Sequence, residues 1–235
     1  MTMWDVNDVL AGAVQTLVNE RCRQAYIHDM RGGLQALYAS LEVLTRSAKS
    51  DTRDAALVDR ASAMAKRALA RHEQALTDIV SQLTGPDGAA EIVNLFQMLQ
   101  GAQQFLRNDV LGRGITLRLS GSESVLVLAQ RNKLHSLIVG LLTLGIDALP
   151  SGAAMHVELS RIESYALLEF RSELTYGAIR EAQDLLCRAA AQLLPQELIL
   201  GFASSWTMAN GGRVEIHPAA DERSGLRIYY PLAAA

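Results

Sequence analysis

The chain has 235 residues, 49% of them apolar and 20% charged, which supports a packed core and excludes a chain disordered by composition. Its 22 Lys and Arg nearly balance 25 Asp and Glu, and a net charge of −3 gives no bulk attraction to nucleic acid or to an acidic membrane surface. Cys22 and Cys187 stand far apart and form no CxxC, so neither a disulfide framework nor a zinc motif is expected. No apolar run approaches the roughly 20 residues needed to span a bilayer. The start, with Asp5 and Asp8, does not read as a signal peptide. A cytoplasmic protein without membrane or nucleic-acid partners is expected.

Residues 5–84 are rich in Ala, Leu, Arg and Gln, with Gly12 and the pair Gly32-Gly33 as interruptions, and predict two long helices. The polar stretch Ser47–Asp51 separates them, with Asp51 or Thr52 as the expected cap of the second helix. In the first helix Ile27, Met30, Leu34, Leu37, Leu41 and Leu44 recur at spacings of 3, 4, 3, 4 and 3, the alternation of a bundle core. The second carries a weaker seam, Leu57, Ala61, Met64, Ala68, Ala75 and Ile79, beside a second apolar row through Leu69, Leu76, Val80 and Leu83. Two apolar rows on one hairpin predict pairing with a second copy in a four-helix bundle.

Gly85-Pro86-Asp87-Gly88 reads as a linker, so the expected division is a hairpin over 1–84, a linker over 85–88 and a second domain over 89–235. Beyond it the pattern predicts a helix opening at Ile92 and running to about Val110, then short strands at 115–119 and 124–128. A helix over 131–148 stops at Leu149-Pro150, and strands follow at 155–159 and 165–171. Helices over 177–194 and about 198–209, then strands at 214–216 and 226–230, complete an α/β sandwich with an antiparallel or mixed sheet. The fold class is therefore α+β.

One segment carries chemistry. Tyr26-Ile27-His28-Asp29-Met30-Arg31-Gly32-Gly33-Leu34-Gln35 puts His28 one residue off the apolar seam, on its flank, where it can reach solvent, with Asp29 beside it. A carboxylate next to an imidazole can orient it and raise its proton affinity, and such a histidine can act as a nucleophile toward phosphorus. The remaining histidines are read more plainly. His72 lies near the second helix's seam as a packed or flank residue, and His135, His156 and His217 share no metal spacing. Trp4 and Trp206 are expected in the core or an interface, and Cys187 as a small buried hydrophobe.

His28, Asp29, Met30, Arg31 and Leu34 resemble the H-box of sensor histidine kinases, with Gly32 where Thr or Asn is usual and Gly33 where Pro is usual. The family's Thr or Asn helps position water for dephosphorylation, a side chain Gly32 lacks. Leu144-Gly145-Ile146-Asp147-Ala148-Leu149-Pro150 resembles the family's N-box, but Leu144 replaces the Asn that holds magnesium, and a leucine offers no oxygen to a hard cation. Ser172, Leu174 and Tyr176 stand at the Asp-x-Gly-x-Gly adenine box, and Glu197-Leu198-Ile199 at the Gly-x-Gly phosphate loop, where bare backbone should approach phosphate. The closing segment from Gly211-Gly212 to Pro231 resembles the family's last β-hairpin.

The resemblance thus implies a dimeric helical hairpin joined to a degenerate ATPase-type domain, with ATP binding lost and no cofactor of its own. It further implies a histidine phosphotransferase that accepts a phosphoryl group on His28 from an aspartyl phosphate of a response-regulator receiver and passes it on. The receiver supplies the magnesium. Asp29 would orient or deprotonate His28, Arg31 would contact the receiver's carboxylates or the phosphoryl oxygens, and Ala25, Gly32 and Gln35 would form the docking surface. The alternative is a pseudokinase that docks receivers or kinases on the same bundle without chemistry.

Overall fold

The computed structural model describes residues 3–49, 54–83, 89–172, 195–218 and 224–233. Within these spans the side chains of 3–9, Cys22, Ala25, His28, Asp29, 74–83, Ser172, His217, Pro218 and Ser224 lie outside the description. So do the helix expected over 177–194 and the adenine-box positions Leu174 and Tyr176.

Helix α1 spans Met3–Lys49 and α2 spans Ala55–Leu83. Asp54 caps α2: its carboxylate accepts from Leu57 N at 3.1 Å, which satisfies one of the open donors of the first turn, while Asp51 and Thr52, the expected caps, lie outside the described residues. The chain forms two compact units, residues 21–86 and residues 1–20 with 87–235. Residues 1–20, expected in the hairpin, thus belong with the second domain. The reason is packing at 3- and 4-residue spacing: Leu10, Ala11, Val14 and Val18 are buried, and Gln15 accepts a 2.7 Å hydrogen bond from Ser136.

In the unit of residues 21–86, Met30, Gly33, Leu37, Ser40, Leu44 and Ser47 form one row of half-buried or buried positions along α1, alternating large and small, and Val58, Ala61, Ala65, Ala68 and His72 form a mostly alanine row along α2. Both runs keep the 3-4 spacing of a helix seam. Ser40 is fully buried and donates to Ala36 O at 2.7 Å, so its hydroxyl brings no unpaired donor into the seam. The leucine-rich row is only partly inside the protomer. Met30, Leu37 and Leu44 flank the small residues, whereas Ile27, Leu34 and Leu41 stay 36, 43 and 56% exposed.

The other unit is a five-stranded sheet under a helical layer. After β1 (Glu91–Asn94) come α3 (Leu95–Phe105), α4 (Arg107–Gly112), β2 (Thr116–Gly121), β3 (Leu126–Ala129) and α5 (Arg131–Ala148). Then follow β4 (Ala154–Ile162), β5 (Tyr165–Ser172), α6 (Pro195–Ala209), β6 (Arg213–Pro218) and β7 (Ser224–Pro231). The sheet order is β2-β4-β5-β7-β6, with β2 parallel to β4 and the other pairs antiparallel. The helix expected from Ile92 is corrected: Glu91–Asn94 pairs antiparallel with β3, and Asn94 ends the strand by capping α3, its Oδ1 accepting from Gln97 N at 3.0 Å.

Strand alternation builds the core. Leu119, Val157, Phe170, Leu226 and Ile216 form one row across the sheet, and Leu159, Leu168, Ile228 and Val214 the next. Helix α5 lies over this layer and is apolar on most sides, with Leu134, Leu137, Ile138, Val139, Leu141, Leu142 and Ile146 buried. Gly145 permits its close approach, since a Cβ there would sit 2.7 Å from Met155 Sδ of β4. Trp206 is a core residue, stacked on Tyr230 at 5.4 Å between centroids and tilted against Phe202 at 5.9 Å.

Candidate functional site

Helix α1 passes through the H-box segment without interruption, so the place of each residue follows from about 100° per residue. Position 28 shares a face with 24, 31, 32 and 35, and Gln24, Arg31, Gly32 and Gln35 are all exposed. That face lies opposite the seam with α2. Space is open at Gly32, where a Cβ would meet nothing within 4 Å. Position 25 falls on the same side of the helix. Position 29 lies about 100° round from 28, one turn before Gly33 on the side of the seam. The side chains of His28, Asp29 and Ala25 lie outside the description, so the backbone places these three residues.

The two glycines differ. Gly32 opens outward, whereas Gly33 faces α2 and receives the tip of the His72 ring, whose Cε1 and Nε2 are the atoms that a Cβ would meet first. His72 is therefore a seam residue. Its Nε2 is sealed from solvent and has no hydrogen-bond partner among the described residues.

The positions of the nucleotide boxes hold other chemistry. Leu144 sits half-buried near the end of α5, and the carbonyls there are taken: Arg113 Nη1 donates to Ile146 O at 2.7 Å and Asp147 O at 3.0 Å. The same guanidinium lies 3.6 Å from the Asp147 carboxylate. Such a cap suits the negative end of a helix. Glu197, where the resemblance sets the phosphate loop, is buried in the first turn of α6. A groove of about 270 Å³ lined by Gln100, Gln103, Gln104, Arg107, Val110, Leu111 and Leu117 lies elsewhere, between α3, α4 and β2, and includes none of the box positions.

The sheet's other face carries a charged row that the sequence reading missed. Ser120, Glu158, Glu169, Arg227 and Glu215 are cross-strand neighbours. Glu169, 7% exposed, accepts from Arg227 Nε at 2.8 Å and from Arg171 Nη2 at 2.5 Å, while Arg171 also reaches Glu158 at 3.3 Å. Burial pushes the Glu169 carboxyl up, but the hydrogen bonds and charges of the two arginines outweigh it and hold it below the usual carboxylate range. Arg213 lies 3.8 Å over the Tyr229 ring and pairs with Glu215 at 2.7 Å. His156 and Ser120 share a hydrogen bond of 2.9 Å. On α5, half-buried His135 is held at a pKa of about 4 by burial and, second, by the charge of Arg131.

Among the described residues no helix is long and apolar enough to cross a membrane. No protein-family model matches the sequence, and no curated protein does. Solved structures do. The catalytic domain of the histidine kinase ThkA aligns with a TM-score of 0.55 and 10% identity, over 61% of this chain and 98% of that one. A mycobacterial sensor histidine kinase, MprB, aligns with a TM-score of 0.51 and 15% identity, over 62% of this chain and 99% of that one. Over that part of the chain the fold is similar to that of histidine-kinase catalytic domains.

Proposed function

We propose that the chain is a histidine phosphotransfer protein of a two-component relay, working without ATP. The observation that carries the reading is the face around position 28: an unbroken helix presents it beside exposed Arg31 and Gln35, with open space over Gly32. An imidazole nitrogen of His28 attacks the phosphorus of a receiver's aspartyl phosphate. The N–P bond forms, the acyl P–O bond breaks, and the receiver's carboxylate leaves. Asp29 keeps the imidazole in its reactive form, and Arg31 pairs with phosphoryl oxygens or receiver carboxylates. The second domain keeps the kinase-like fold, but Leu144 and buried Glu197 supply neither a magnesium ligand nor bare backbone for phosphates. The uncovered row Ile27, Leu34 and Leu41 supports a homodimeric four-helix bundle.

The test is phosphoryl transfer from a panel of receiver domains preloaded with acetyl phosphate, with His28→Ala and an ATP-only lane alongside. Acid-labile label should come from a receiver, vanish in His28→Ala and be absent with ATP alone. Label surviving in His28→Ala would overturn the reading. Receiver binding without label would instead favour the pseudokinase scaffold.

A further inference from the structure

We infer that the pair Gly33 and His72 is a positioning device for the reaction at His28: a missing side chain on α1 accepts the ring of His72 and lets the two helices close to one spacing over the turn that follows the reactive residue. The inference rests on the phosphotransfer reading and deepens it. Three observations carry it. Along α2 the inward positions near this layer are small, Ala61, Ala65 and Ala68, and His72 is the large side chain that follows them, while α1 turns Leu37 and Leu44 inward beside Ser40 and Ser47. At the Gly33 layer the α2 residue is large, and a Cβ on α1 would lie 2.6 Å from His72 Nε2, closer than any real contact. Finally, Nε2 meets no solvent and has no hydrogen-bond partner among the described residues.

A large residue on α2 against no side chain on α1 therefore reverses the arrangement beside it, where α2 offers alanines and α1 offers Leu37 and Leu44. The consequence for His28 follows from the helix. Gly33 is five residues, about 7.5 Å along the axis, beyond position 28 and on the opposite face. His72 does not reach the reacting atoms. It sets how the stretch of α1 bearing His28, Arg31, Gly32 and Gln35 stands on α2, and hence the surface a receiver meets. A receiver must bring its aspartyl phosphate in line with one imidazole nitrogen, and an error on the order of 1 Å costs as much as about 100-fold in rate.

The experiment separates spacing from intrinsic reactivity. His72→Ala, Gly33→Ala and the double variant are compared with the wild type in two assays: labelling by phosphoramidate, a small donor that needs no docking surface, and transfer from the receiver that labels the wild type. Far-UV circular dichroism and thermal midpoints verify that each variant is folded. Both single variants should take phosphoramidate label at the wild-type rate and lose about 10- to 100-fold in receiver transfer. The double variant, with Ala against Ala, removes the clash of Gly33→Ala and narrows the gap left by His72→Ala, and should recover to within about threefold of the wild type, a strongly non-additive cycle. Single variants that transfer at the wild-type rate would overturn the inference, and so would a double variant as slow as His72→Ala, which would mean that the imidazole's own atoms are needed. A wild type that no receiver labels would overturn the parent reading and this one with it, a result distinct from either of the others.

Discussion

Two side chains set how the second domain responds to acid. His135 titrates near pH 4 in the folded chain against about 6.5 unfolded. Between these values the unfolded chain binds the proton and the native one does not, so stability rises with pH across this window and levels off above it. The full gap corresponds to about 3 kcal/mol, reduced by whatever solvent reaches this half-buried ring. Urea unfolding at pH 4.5 and 7.5 should show this loss in the wild type, and His135→Gln should lose less between the two; an unchanged pH slope would remove the histidine from the account. Glu169 acts in the same direction for a different reason. Its carboxyl is held low by Arg171 and Arg227, so its contribution is present above the usual carboxylate range and is lost as pH falls through the depressed value. Glu169→Ala leaves two arginines facing an empty site and should cost about 2 kcal/mol, below the 3–5 kcal/mol of a fully buried pair because both arginines reach solvent and Arg171 keeps Glu158.

At the level of elements, caps decide where helices begin. Asp54 and Asn94 both accept from the backbone three residues on, and each moves an expected boundary. Asp54→Ala should lower stability by about 1 kcal/mol in thermal or urea unfolding, while the isosteric Asp54→Asn should be nearly silent. The Ile-Val pair before Asn94 fits a strand as well as a helix, and only its partner, Val127-Leu128 of β3, settles the choice. The long helices, the strand order of types and the apolar α5 were legible because periodicity reports burial directly. The leucine seam was legible too, but not its division. Leucines mark where apolar surface is, but Leu37 and Leu44 are half-buried in the protomer beside Gly33, Ser40 and Ser47, whereas Leu34 and Leu41 stay exposed, a division set by the position of α2. Residues 10–18 carry the same helical signal whichever unit they pack on, so sequence gave no means of assigning them to the second domain. The charged row around Glu169 was hidden because it exists only in strand register.

For the whole molecule, the apolar rows left open on the hairpin are the surface on which the proposed dimer rests. Ile27, Leu34 and Leu41 recur every seventh residue on α1, and Leu57 and Met64, also seven apart, stand 45 and 37% exposed on α2. A heptad stripe on each of two packed helices is what a second hairpin needs to complete a four-helix bundle, and a twofold axis would bring each stripe against its copy. Burying one leucine contributes roughly 1.5–3 kcal/mol. In a twofold assembly, replacing Leu34 and Leu41 together removes four such side chains and places acidic groups against each other. Leu34→Glu/Leu41→Glu should therefore cost at least about 6 kcal/mol of association, weakening the dimer by roughly 10⁴-fold. Sedimentation equilibrium would find the wild type at twice 25.5 kDa and the variant at 25.5 kDa in the micromolar range. Because the exposed row lies away from the seam with α2, far-UV circular dichroism of the variant should keep its helical signal. A variant that remains dimeric would show that the copies meet through another surface, and the heptad stripe would then need a different occupant.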